Sequence, residues 1–225
     1  MDLRVVLVEP ENPLNVGFVA RAMRAFGVTD LVVAASQWKV LPAEARVTGS
    51  CAAEILDSVR FEKDLAGALR GCETAIAFSR RPTALRQSEF TLPAVPAALN
   101  RTGRTALVFG RESAGLTRAE SALCPHLARI PCQNGVSLNL GQAAAVALFA
   151  LTTTTNGERS EKAPTASLDR MMALWDYVQP KLAASPRFTE ARQRRIRQLI
   201  YRLNLNDTDF NQLFAVMKAL ASGRP

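Results

Sequence analysis

Several nucleotide- and metal-handling signatures are missing from this 225-residue chain. No Gly-x-Gly-x-x-Gly joins the first strand-like run to the helix-like run after it, where a dinucleotide would rest its pyrophosphate on the helix N-terminus. That turn reads Glu9-Pro10-Glu11-Asn12-Pro13-Leu14-Asn15-Val16-Gly17. There is no Gly-Lys-Ser/Thr phosphate loop and no Gly-x-Ser-x-Gly nucleophile elbow. The single histidine, His126, is remote from any recognised nucleophile spacing, and it cannot complete a zinc set with cysteines at 51, 72, 124 and 132 that form no Cys-x-x-Cys pair. These absences argue against a standard dinucleotide fold, a P-loop NTPase, a serine hydrolase and a metal centre. The cysteines read as small buried hydrophobes in a reducing cytoplasm. No apolar run approaches the roughly 18 residues of a membrane span. Met1-Asp2-Leu3-Arg4 leads straight into a strand-like run, which predicts no signal peptide and a cytoplasmic protein without a membrane partner.

What is present is ample apolar material, 48% of the chain, in an alternating pattern. Strand-like runs occur at 4–8, 31–34, 74–78, 105–109 and 127–130. Helix-like runs lie between them. Val19, Met23 and Phe26 fall at i, i+4 and i+7, with Gly27 as a stop. Residues 64–70 read as a helix ending at Gly71, Thr117-Arg118-Ala119-Glu120 is a capping box, and 138–151 is an Ala-rich, mostly buried helix. Strands and helices alternating at this spacing predict an α/β fold, a parallel sheet with helices on both faces. Thr152 to Pro164 breaks the composition and reads as a linker. The predicted units are a sheet domain over 1–155, a linker over 156–165 and a small all-helical extension over 166–225, with helices near 166–184, 189–203 and 208–221. In the second of these, Ile196, Leu199, Ile200 and Leu203 form an apolar stripe.

Three strand-like runs end in polar, glycine-bearing islands: Asn15 to Arg21, Phe109 to Leu116, and Ile130-Pro131 followed by Ser137-Leu138-Asn139. Polar loops at the carboxyl ends of parallel strands are where open α/β sheets place ligands. The candidate residues are Asn15, Arg21, Arg111, Glu112, Ser137 and Asn139, and arginine is suited to holding phosphate in a fixed orientation. Plainer roles compete: Asn15 and Asn139 as helix N-caps, Arg21 as a solvated helix residue, Glu112 as an ion-pair partner of Arg111 or Arg21.

Charge is uneven. The net +8 divides into 16 basic against 13 acidic residues over 1–155, and 12 against 7 over 156–225. A basic balance concentrated at one end points to a polyanionic partner. Arg194, Arg195, Arg197 and Arg202 fall outside the apolar stripe of their helix.

The three islands resemble the three motifs of the SpoU (SPOUT) superfamily of RNA ribose 2′-O-methyltransferases. They match in order over about residues 4–155: Asn15 with Arg21, then Phe-Gly-Arg-Glu-x-x-Gly-Leu at 109–116, then Ile-Pro and Ser-Leu-Asn across 130–139. The Arg-rich stretch 192–202, followed by Leu205-Asn206-Asp207-Thr208-Asp209-Phe210, is similar to the C-terminal extension of TrmJ-type enzymes, which methylate nucleotide 32 of the tRNA anticodon loop. The resemblance implies a deep C-terminal trefoil knot, S-adenosylmethionine as cofactor, tRNA as partner, and a homodimer joined through the 138–151 helix and the first motif. Carried over residue by residue, the cofactor would touch Phe78, Ser79, Arg80, Gly110, Ile130, Ser137, Leu138 and Asn139. Catalysis would fall to Arg21, Asn15, Glu112, Ser137 and Asn139. RNA would be gripped by Arg21, Arg111 and the four arginines of the extension. The chain departs from the pattern at Phe78 and Arg80, where family members often carry small residues. It departs again at Cys132-Gln133-Asn134-Gly135-Val136, which replaces the usual Asn-Pro-type loop. The competing expectations are an rRNA ribose methyltransferase, a non-catalytic knotted RNA-binding protein and a generic α/β oxidoreductase.

Overall fold

β-Branched and aliphatic residues dominate the strand-like runs on both parities, and in a parallel sheet covered on both faces that is the expected composition. In the computed structural model, which describes residues 2–79, 88–95, 99, 103–133, 136–153, 166–203 and 205–221, the runs become β1 (Asp2–Val8), β2 (Asp30–Ala34), β4 (Thr74–Phe78), β6 (Arg104–Phe109) and β7 (His126–Arg129). Two short strands complete the sheet, β3 (Arg60–Glu62) and β5 (Ser88–Thr91). The order is β3-β2-β1-β6-β4-β7-β5, every pairing parallel.

Alternation assigns each strand residue to one of two cores. Val5, Leu7, Leu31, Ile76, Phe78, Leu107 and Phe109 face one way, against α1 (Pro13–Ala25), α3 (Ala53–Asp57) and α6 (Leu140–Thr153). Val6, Val8, Val32, Ala75, Ala77, Val108 and Leu127 face the other way, where α4 (Leu65–Ala68) lies. That second face also receives Leu168, Met171, Leu174, Trp175 and Val178 of α7 (Leu168–Ala183). Ile200 and Tyr201 of α8 (Glu190–Arg202) and Phe210 of α9 (Asp207–Ala221) join the same cluster. The start of α7 is anchored as well as packed: Leu168 N–H donates to the Cys72 carbonyl at 3.1 Å and Gly71 N–H to the Asp169 carboxylate at 2.8 Å.

The Gly27 stop and the Thr117 capping box act as read, whereas the N-cap of the first helix is Asn12 and not Asn15. Asn12 caps α1, its Oδ1 accepting from Leu14 N–H, and Gly27 ends it at φ +70°. Thr117 and Glu120 make both bonds of a capping box at α5 (Arg118–Ser121). Close helix approach also explains two glycines. A Cβ on Gly17 would lie 2.1 Å from the Ala45 carbonyl oxygen of α2 (Ala45–Gly49), and one on Gly141 would lie 2.5 Å from Phe18 Cβ, where α6 crosses α1.

Several expectations need correction. The helix expected over 64–70 is one turn, Leu65–Ala68. The run 45–57, left unassigned by periodicity, folds as α2, a 3₁₀ turn (Ser50–Ala52) and α3. In α8, Leu199 is exposed, while Gln198 and Tyr201 are buried beside Ile200, so the buried face is rotated from the predicted stripe. Of the cysteines, Cys72 and Cys124 are buried, but Cys51 and Cys132 are exposed; none is in a disulfide. Burial pushes the Cys72 thiol up to about 11, so it behaves as an apolar group. The predicted linker 156–165 lies outside the described residues.

Candidate active site

The carboxyl ends of β1, β6 and β7 deliver the three islands to one edge of the sheet. The β1–α1 turn is fixed from across the gap by Glu112. Its carboxylate accepts from the backbone N–H of Glu11 (2.9 Å) and of Asn12 (3.3 Å), and from Asn15 Nδ2 (2.9 Å). Glu11 answers in reverse: its carboxylate accepts from Ser113 N–H (3.0 Å) and Ser113 Oγ (2.5 Å). These two bonds hold the Glu11 carboxyl below its usual range. Glu112 is therefore a partner of neither Arg111 nor Arg21. Asn15 is not the N-cap of its helix, a place taken by Asn12; it sits in the first turn and is held by Glu112.

Arg111 is enclosed by carboxylates. Its guanidinium donates to both oxygens of Glu120 (2.9 and 3.0 Å) and from Nε to Glu9 at 2.8 Å, with the Gly115 carbonyl at 3.3 Å. The bonds to Glu120, then those to Glu9, push the Arg111 pKa further up. Burial works against the Glu120 charge, but the bonds from Arg111 and Thr117 outweigh it and leave its pKa lowered. Glu9 follows β1 at φ +46°, a left-handed conformation unusual for a residue with a side chain. Strained backbone of this kind is concentrated at functional sites.

Between the end of β4 and the second and third islands lies a pocket of about 570 Å³, within the ~300–1,000 Å³ usual for small-molecule sites. Phe78, Phe109, Ile130, Leu138 and Leu140 supply apolar wall, and Ser79, Gly110, Glu112, Ser113, Arg118, Cys132 and Ser137 also line it. Phe78 stacks on Phe109 with centroids 4.6 Å apart and rings 10° from parallel. The large side chain at 78 thus packs within the wall. Gly110 is required by backbone: a Cβ there would lie 2.3 Å from the carbonyl carbon of Gly115 and 2.4 Å from Leu116 N, where the second island folds back on itself.

Of the sequence candidates, Phe78, Ser79, Gly110, Arg111, Glu112, Ile130, Ser137 and Leu138 line the pocket. Asn139 does not. It caps α6, its Oδ1 accepting from Gln142 N–H at 2.7 Å while its own N–H donates to Gln142 Oε1 at 3.1 Å. Arg80 lies outside the described residues. Arg21 is exposed on α1, away from the pocket lining, and has no ion-pair or hydrogen-bond partner among the described residues. Arg194 and Arg195 are exposed on α8, and Arg197 and Arg202 are part-buried on the same helix, also away from the pocket. Arg118, Thr117, Phe109 and Cys132 belong to the pocket wall and were not among the site residues expected from the sequence. The capping box marked where Arg118 sits, but not that it faces a cavity. Among the described residues no cluster could hold a metal ion, and no helix is long and apolar enough to cross a membrane.

Comparison with known proteins agrees with this architecture. The SpoU rRNA Methylase family matches residues 2–149. The tRNA (cytidine/uridine/adenosine-2′-O-)-methyltransferase TrmJ of Pseudomonas aeruginosa is 37% identical over 155 residues, 65% of this chain and 59% of that protein. The tRNA (cytidine/uridine-2′-O-)-methyltransferase TrmJ of Escherichia coli K12 is 29% identical over 241 residues, 97% of this chain and 95% of its own. The crystal structure of TrmJ from Zymomonas mobilis (Z. mobilis ZM4) superposes with a TM-score of 0.84 over 97% of this chain and 98% of that one, at 24% identity, which speaks for the fold. The chain therefore belongs to the SpoU rRNA methylase family, the group of RNA ribose 2′-O-methyltransferases that its three loops resemble.

Proposed function

We propose that this protein transfers a methyl group from S-adenosylmethionine to a ribose 2′-hydroxyl of tRNA, at nucleotide 32 of the anticodon loop, and that it does so as a cytoplasmic homodimer. The observation that carries the reading is the pocket between the second and third islands, with the first tied to it through the Asn15–Glu112 bond, Gly110 keeping the second island folded tightly, and Phe78, Ile130 and Leu138 in the apolar wall. An adenine ring suits such a wall, and the polar groups that also line the pocket suit an amino-acid tail. When bound, the cofactor supplies a methyl carbon activated by an adjacent sulfonium.

The residues of the chain then have three tasks. Glu112, through Asn15 and the amides of Glu11 and Asn12, clamps the β1–α1 turn to the second island. Gly110, Ile130, Ser137 and Leu138 position the cofactor, with Ser79 on its flank. Arg21 orients the target phosphate and 2′-hydroxyl. A guanidinium stays protonated and makes a poor base, so the proton passes to a phosphate oxygen or water, and alignment supplies much of the rate.

Arg21 is exposed on its own subunit and away from its own pocket, which supports a site completed by the α1 of a partner copy. Phe18, Val146 and Phe149 are exposed on the α1–α6 face beside it, an apolar surface fit for the second copy. Within the sheet, β6 enters between β1 and β4, and β7 between β4 and β5. Later strands inserted between earlier ones support a chain threaded into a trefoil knot. The name of the matching family favours rRNA as the second reading. Nucleoside mass spectrometry of tRNA and rRNA from cells lacking the protein separates them. Loss of a 2′-O-methyl nucleoside at tRNA position 32 is expected; loss from rRNA, or from neither, overturns the proposal.

A further inference from the structure

Among the described residues two arginines line the pocket, Arg111 and Arg118, and the fold treats them differently. Arg111 is committed to Glu9 and Glu120. Arg118 is exposed and forms no hydrogen bond or ion pair with any described residue through its side chain. The one carboxylate in the lining, Glu112, is occupied by Asn15 and two backbone amides and leaves Arg118 unneutralised. The backbone under Arg118 is fixed by the Thr117–Glu120 capping box, and Glu120 is itself held by Arg111, so the guanidinium projects from an immobilised base.

We propose that Arg118 is the carboxylate anchor of the pocket, pairing with the α-carboxylate at the methionyl end of the cofactor. The proposal rests on the S-adenosylmethionine reading above. It follows from charge accounting: a ligand with an apolar heterocycle for the Phe78–Ile130–Leu138 wall and a single carboxylate finds one uncommitted lining cation for that carboxylate among the described residues. Guanidinium–carboxylate pairing is charge-assisted and can be bidentate.

Titration calorimetry on the full chain with two probes tests it. S-adenosylhomocysteine keeps the carboxylate; 5′-methylthioadenosine lacks the whole amino-acid end. Arg118→Ala should weaken S-adenosylhomocysteine by about tenfold, the loss of one charge-assisted pair at an exposed rim, and leave 5′-methylthioadenosine within about twofold. Arg118→Lys should recover part of the loss. Unchanged S-adenosylhomocysteine affinity, or an equal loss for both probes, overturns the assignment. So does weaker tRNA binding with unchanged S-adenosylhomocysteine affinity, which would place Arg118 on an RNA phosphate. A wild-type protein that binds neither probe refutes the cofactor reading itself, an outcome visible before any variant is made.

Discussion

Arg21 and Arg111 stand in neighbouring motifs, yet their surroundings differ: Arg111 is committed within the fold and Arg21 is exposed with no partner among the described residues. Arg111 ties the end of β1 to the start of α5 through Glu9 and Glu120. Removing it would leave the half-buried Glu120 carboxylate without its guanidinium partner and should destabilise the fold. Arg21 supports nothing among the described residues. Arg21→Ala is therefore expected to keep the melting temperature and S-adenosylhomocysteine affinity of the wild type while abolishing methyl transfer. Arg21→Lys should be nearly as poor, because an ammonium lacks the planar fork that fixes phosphate and hydroxyl together. Single-turnover methylation of tRNA is the measurement. Near-normal rates in either variant would move the orienting role elsewhere.

Whole elements show what the sequence can announce. Buried strands with β-branched runs, the Gly27 stop and the Thr117 capping box were legible because each is a local signal with a local cause. The edge strands β3 and β5 were not: three and four residues carry too little periodicity, and only pairing with β2 and β7 defines them. The second and third islands marked where the pocket lies, since polar loops after parallel strands advertise themselves. The pairing inside it was not readable, because whether Glu112 meets an arginine or the β1–α1 turn depends on contacts about a hundred residues apart. At the same scale, α1 and α6 carry the dimer proposal. Phe149 is 58% exposed and meets Phe26 edge-on at 6.2 Å. Phe149→Asp should leave the fold within about 1 kcal/mol of wild type, since the position is mostly solvated. By light scattering at micromolar concentration it should convert a dimer to a monomer, and turnover should fall with it because Arg21 would no longer reach a second pocket. A fully active monomer would refute the shared site.

For the molecule as a whole, the charge of the C-terminal helices and their packing are inseparable. Deleting everything beyond Thr155 would remove the arginines, but it would also strip Leu168, Met171, Leu174, Trp175 and Val178 from the second face of the sheet. A loss of tRNA binding would then report unfolding as readily as lost contacts. Arg197 and Arg202 are poor probes for a related reason: both have a buried Nε, and Arg197 lies over the Trp175 ring at 5.7 Å, so each is a packing residue as well as a charge. Arg194 and Arg195 are exposed, and Arg194 has only a 3.8 Å contact with Glu190, a surface pair worth roughly 0–1 kcal/mol. The double variant Arg194→Ala/Arg195→Ala should therefore fold as wild type and keep S-adenosylhomocysteine affinity. If both side chains meet phosphates, the slope of log K against log salt should fall by about 1.4–1.8, between the single- and double-stranded values for two contacts, with tRNA affinity lower at physiological salt. Equal affinity and equal slope in the two proteins would make these arginines solvated surface and would place RNA recognition on the loops around the pocket and on Arg21.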